Sequence, residues 1–139
     1  MKTEILTINP NSSFSALTNL VARILLIILF FLAGTSKISG YEATAGWMDA
    51  MGVPGSLLPL VILAEIGGAL ALLVGFQTRL VALLLALFTL ASAFIFHINL
   101  ADQTQFLMFF KNLSISGGFL ALMLLGGGKF SLDAKFNKV

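Results

Sequence analysis

Residues 57–97 read LLPLVILAEIGGALALLVGFQTRLVALLLALFTLASAFIFH, two apolar runs joined by GFQTR, with a single carboxylate, Glu65, inside the first. A helix crosses a hydrocarbon core with roughly 20 apolar residues, and each run approaches that length. Gly75 stops the first helix, because it takes a left-handed backbone without a Cβ penalty, and Thr78 offers a hydroxyl N-cap for the second. The stretch therefore reads as a transmembrane hairpin.

Working outward, two further apolar runs bring the total to four spans, at about 17–36, 57–74, 80–97 and 106–125, with a polar leader over 1–16 and a tail over 126–139. Of the 139 residues, 58% are hydrophobic and only 10% charged, and mean hydropathy is +1.02. Soluble domains carry about a quarter charged residues, so the expected fold is an all-α integral membrane protein, one domain built as a four-transmembrane-helix bundle. The leader lacks a cleavage-site pattern, and the first span is expected to be retained. Four crossings put both termini on one side. That side holds Lys2, Arg23, Arg79, Lys129, Lys135 and Lys138, whereas Lys37 and Lys111 lie toward the other. The positive-inside rule makes the terminal side cytoplasmic, giving a multi-pass inner-membrane protein. Between the first two spans, SGYEATAGWMDAMGVPGS sets Tyr41 and Trp47 at belt height and is expected to include a short surface helix.

Helices in lipid approach one another through small residues. The second span offers Ala64, Gly68, Ala71 and Gly75, the third Ala82, Ala86, Thr89 and Ala93, and the fourth Ser114, Gly118 and Ala121. Extending the last stripe one turn back reaches Lys111, which places that lysine on the face expected to meet other helices. The same stripes make a homo-oligomer conceivable without counting its subunits.

Ionisable groups inside the bilayer default to functional candidates. Glu65 lies near the midplane, where an unpaired carboxylate costs about 3 kcal/mol, so it must be neutralised or paired within the bundle. Lys111 enters from the outer side within vertical reach of Glu65, with Asn112 beside it. Two readings stand side by side: a Glu65 and Lys111 couple lining a polar cavity or proton route, or a snorkelling Lys111 and a neutral, hydrogen-bonded Glu65. Arg23 and Lys37 share one face of the first span at opposite ends, with Gly34 between them; Arg23 reads as an interface anchor, and Lys37 falls at the outer end near Glu42, His97 and Lys111. Arg79 closes the GFQTR hairpin as a positive-inside anchor. His97 ends the third span on the same side as Met48, Met51 and Met108. Those soft groups would suit Cu(I), but no ligand spacing supports a metal site.

The absence of cysteine leaves this chain no disulfide or thiol chemistry of its own, and the scattered basic residues of a chain with formal charge +2 give no nucleic-acid footprint. Phosphate loops, nucleophile elbows and zinc motifs are absent.

Taken in order, FLAGTSKISGY, AEIGGALALLVGFQTRLVALLL, FH and QFLMFFKNLSISGGFLALMLLGGGKFSLD resemble the DoxX family of small four-helix bacterial inner-membrane proteins, over about residues 20–133. The resemblance implies a link to redox processes, because family members are subunits of thiosulfate:quinone oxidoreductase or partners in oxidative-stress complexes. Carried over by motif, the candidate site residues are Lys37, Glu65, Arg79, His97, Lys111 and Asn112. This chain has neither a haem-ligand pair nor a soluble cofactor domain, so the expectation is a non-autonomous accessory subunit. A quinone or similar lipid would sit near Glu65 and Lys111, contacted by Phe106, Phe109 and Phe110, with a membrane or periplasmic redox protein as partner. The alternatives are a structural, partner-binding membrane module without chemistry of its own, and a small carrier or proton path.

Overall fold

The computed structural model describes residues 5–137. Lys2 and Lys138, counted toward the basic face, lie outside the described residues. The elements run α1 (Ser13–Ser39), α2 (Tyr41–Ala50), α3 (Gly55–Val74), α4 (Thr78–Phe96), α5 (Gln103–Leu125) and α6 (Leu132–Phe136). Helices α1, α3, α4 and α5 are each long and apolar enough to cross a membrane. They pack in a ring, α1 on α3, α3 on α4 and α4 most extensively on α5, while α5 meets α1 only lightly.

Polar caps set the ends of the apolar helices. Ser12 accepts from the Ser15 amide to start α1, and Asp102 accepts from the Gln105 amide to start α5. Each satisfies an amide that the first turn leaves without an internal partner. Gly75 ends α3 in the left-handed conformation, at φ 70°, as its residue type predicts. The start of α4 differs from the expectation. Thr78 is not the N-cap; that place falls to Gln77, whose side chain makes no cap bond. Both carboxylate oxygens of Asp133 in α6 do the work instead, accepting from the Gln77 amide at 2.7 Å and the Thr78 amide at 2.8 Å.

The core is a column of Ile27, Phe30, Ala69, Leu72, Ala82, Leu85, Ala86, Phe119 and Leu122. Phe30 and Phe119 meet edge to face across it, with centroids 5.2 Å apart, the geometry favoured by the ring quadrupoles. The small-residue stripe of α4 is buried throughout, at Ala82, Ala86, Thr89 and Ala93. The other two stripes meet neighbours only in part: Gly68 packs against Leu85 of α4 and Gly118 against Leu26 of α1, but neither stripe is the most buried face of its helix. In α3 the inward residues are Glu65, Ala69 and Leu72, because a wide π-type turn over Leu63–Gly67 inserts one residue into the helical register. In α5 they are Phe109, Asn112, Ser116, Phe119 and Leu122. Ser114 and Ala121 are exposed and Lys111 is only half-buried, so Lys111 flanks the interior face and does not lie on it.

Candidate functional site: a charged pair within the bundle

The π-turn aims Glu65 into the bundle, where it is 6% exposed. Its partner is Lys37, not Lys111: Lys37 Nζ lies 2.9 Å from Glu65 Oε1. Gly34 makes this pairing possible. A Cβ there would fall 2.5 Å from Ile66 Cγ1 and 3.3 Å from Glu65 Cβ, so only glycine lets α1 approach the π-turn closely enough for Lys37, one turn on, to reach down. Lys37 keeps a quarter of its side chain exposed while Glu65 is almost wholly enclosed. The second carboxylate oxygen, Oε2, is buried with no hydrogen-bond partner among the described residues.

Three helices place inward polar side chains at a comparable depth. Glu65 on α3, Thr89 on α4 and Asn112 on α5 each fall about 10–15 Å from the end of their helix remote from the chain termini, at 1.5 Å per residue. Thr89 satisfies itself on the Leu85 carbonyl at 2.6 Å. One turn deeper, Ser116 donates to the Ala86 carbonyl across the helix interface at 3.1 Å. Asn112 is 8% exposed. Below this level the core is apolar as far as Arg23, so the inward polar side chains lie in the half of the bundle remote from the chain termini, down to about its mid-depth.

The other sequence candidates are dispersed. Lys111 Nζ lies 3.0 Å from Met108 Sδ on its own helix. His97 terminates α4, and its Nδ1 sits 2.8 Å from Gln105 Oε1. Trp47 of α2 stacks on Phe96 with centroids 4.7 Å apart and leans toward His97, which ties the short helix to the end of the bundle remote from the chain termini. The phenylalanines form a cluster through Phe94, Phe106, Phe109 and Phe110. Among the described residues, no group of three or more His, Cys, Asp or Glu side chains is placed to hold a metal ion.

Arg79 and Arg23 belong to the opposite end and act as helix caps. Arg79 Nη1 donates to the carbonyls of Met123, at 2.9 Å, and Leu124, closing α5. Arg23 is fully buried, which corrects its reading as an interface anchor. Its guanidinium donates to Leu72 O at 2.8 Å, Leu73 O at 3.0 Å, Phe130 O and Asn19 Oδ1. Leu72 O and Leu73 O are among the last carbonyls of α3, which the helix's own ladder leaves without a full set of partners, and a cation at a helix C-terminus also complements the macrodipole. Beside it, burial opposes ionisation of Asp133. The amides of Thr78 and Gln77 and the Arg23 charge outweigh that effect and hold the carboxyl below the usual carboxylate range. Sequence reasoning passed over Asp133, Thr89 and Ser116 as site members. Only the closing SLD, already part of the quoted pattern, pointed to the first.

Four membrane-spanning helices with a paired charge at mid-depth define an integral membrane protein of the small helical-bundle class. The DoxX family model matches residues 18–98, and the chain belongs to the DoxX family. It is 59% identical to Inner membrane protein YqjF of Escherichia coli (strain K12) over 119 residues, covering 86% of this chain and 92% of that one. It is 35% identical to Inner membrane protein YphA of the same strain over 124 residues, covering 84% and 88%. A shorter match of 85 residues, 35% identical and covering 61% and 62%, is to "Putative oxidoreductase CatD" of Bacillus subtilis (strain 168). No solved structure matches the chain significantly. The chain is thus an inner-membrane protein, as the four spans and these relatives agree.

Proposed function

We propose that this protein is a non-autonomous subunit of a membrane redox system, holding a quinone or a lipid of similar polarity at the Lys37 and Glu65 pair. The observation that carries the reading is Glu65 Oε2, a buried acceptor without a partner beside an ammonium that is still partly exposed. A ring carbonyl accepts a hydrogen bond from Lys37 Nζ, and a ring hydroxyl donates to Oε2. Reduction of a quinone to a quinol takes two electrons and two protons. Glu65 is placed to pass a proton, while the electrons come from a partner, since the chain has no cysteine. The oxidoreductase name carried by CatD supports the redox class. Both termini are assigned to the cytoplasm from the distribution of basic residues, which opens the polar half of the bundle to the periplasmic side.

Titration of the purified protein with a short-chain ubiquinone tests the reading. Glu65→Gln and Lys37→Met are each expected to weaken binding by about tenfold or more, the worth of a hydrogen bond to a charged group, and Lys111→Met to leave it unchanged. Failure of the unaltered protein to bind any quinone ends the proposal. A structural module is the second reading, favoured by the way the pair locks α1 to α3 across Gly34; it predicts lower stability in the same variants with no quinone binding at any stage.

A further inference from the structure

Helices α1 and α5 touch so lightly because a groove separates them near the chain termini. It has a volume of about 720 Å³ and is walled by Phe14, Ala22 and Leu26 of α1 and by Gly118, Ala121 and Leu122 of α5. From Phe14 to Leu26 it runs about 18 Å along α1 at 1.5 Å per residue, against about 15 Å for the hydrocarbon of one leaflet. Both walls are membrane-spanning helices, so the groove opens sideways into the leaflet nearest the termini. Its polarity is graded. At the end near the chain termini its polar lining residues, Ser15, Thr18 and Asn19, stand among the apolar Ile8, Pro10, Phe14 and Leu125, with the exposed Lys129 following the lining residue Gly128 in the chain; farther in, every lining residue is apolar.

From this gradient we infer that the groove is a binding site for one anionic phospholipid of that leaflet, its acyl chain between Ala22 and Ala121 and its phosphate near Thr18 and Lys129. The head-to-tail order of the lining is that of a lipid oriented in its own leaflet, and the cation sits at the headgroup end. Gly118 marks the inner end, where Leu26 of α1 packs against it so closely that a Cβ there would fall 2.9 Å from Leu26 Cδ2. Asn19 is held ready by its hydrogen bond to the Gly126 carbonyl at 2.9 Å. The site is separate from the charged pair and does not depend on the quinone reading.

Native mass spectrometry of the detergent-solubilised protein, delipidated and then supplied with dioleoylphosphatidylglycerol or dioleoylphosphatidylcholine, tests the inference. The unaltered protein is expected to retain one phosphatidylglycerol in preference to phosphatidylcholine. Ala121→Phe, which fills the groove from an exposed position, should abolish the retained lipid, and Ala22→Leu, a smaller change on the facing wall, should reduce it if the first variant does not fold. Lys129→Gln should lower the preference for the anionic lipid about fivefold, the effect of one cation at a membrane surface, while leaving phosphatidylcholine uptake alone. Equal uptake of both lipids, or uptake indifferent to both groove-filling changes, overturns the proposal, as does a lipid-free dimer that Ala121→Phe dissociates.

Discussion

At Glu65 the energetics are those of a charge with one good partner. Breaking a buried ion pair by removing one member leaves the other uncompensated and costs about 3–5 kcal/mol; Lys37 is partly exposed, so the lower end applies. Lys37→Met is therefore expected to destabilise the bundle by about 3 kcal/mol, and Lys37→Met combined with Glu65→Gln to recover much of that loss. Lys111→Met should shift stability by no more than about 1 kcal/mol, because it removes only a contact with Met108. Denaturation by SDS in mixed micelles measures all three, and a Lys111→Met loss as large as that of Lys37→Met would falsify the assignment of the pair. That Glu65 must be neutralised or paired inside the bundle was legible from its depth in an apolar run. Which lysine supplies it was not, since Lys37 and Lys111 both approach from the outer side and sequence spacing measures only height along each helix.

Among elements, the terminal end is held by caps that cross between distant segments. Arg23 closes α3, Arg79 closes α5, and Asp133 opens α4. Gly75 is the hinge of this arrangement, at φ 70° and with room for no side chain: a Cβ would fall 2.3 Å from Ser131 Cβ. Gly75→Ala should cost more than 1 kcal/mol, from left-handed strain and the clash together. Asp133→Ala should cost about 1 kcal/mol through the lost cap. Because the folded state lowers the Asp133 pKa, the contribution of this carboxylate is present at neutral pH and fades as pH falls through the folded value. The gap between the unaltered protein and Asp133→Ala should thus be full at pH 7 and close below about pH 4, as read from unfolding midpoints. Gly75 as a helix stop could be seen in GFQTR. The cap on the next helix could not, because it arrives from 55 residues away along the chain.

For the molecule as a whole, the orientation expected from charge is open to a direct check. The chain has no cysteine, so single cysteines at exposed Gly46 and Asn137 report cleanly. With the termini in the cytoplasm, Gly46→Cys in α2 is expected to react with a membrane-impermeant maleimide from the periplasmic side, and Asn137→Cys only after the membrane is opened. Labelling in the reverse order would invert the bundle and place the polar half, with Lys37 and Glu65, toward the cytoplasm. The groove between α1 and α5 also emerges only at this scale. Gly118 and Ala121 were visible as a small-residue stripe, yet only Gly118 admits a neighbouring side chain, Leu26 of α1, while the exposed Ala121 borders a cleft.

The sequence by itself determined the four spans, the glycine stop between the second and third, the membrane location, and the identity of Glu65 as the anomalous charge. Those features rest on hydrophobic length and on residue type, which need no knowledge of neighbours. Tertiary structure alone decided that Lys37 answers Glu65, that Arg23 is a buried cap, and that Asn112 rather than Lys111 faces inward. A π-turn in α3 shifts which residues face the interior by one position, and a glycine in α1 sets how near two helices come. Both effects act on rotation and distance between helices, quantities that periodicity along one chain does not contain.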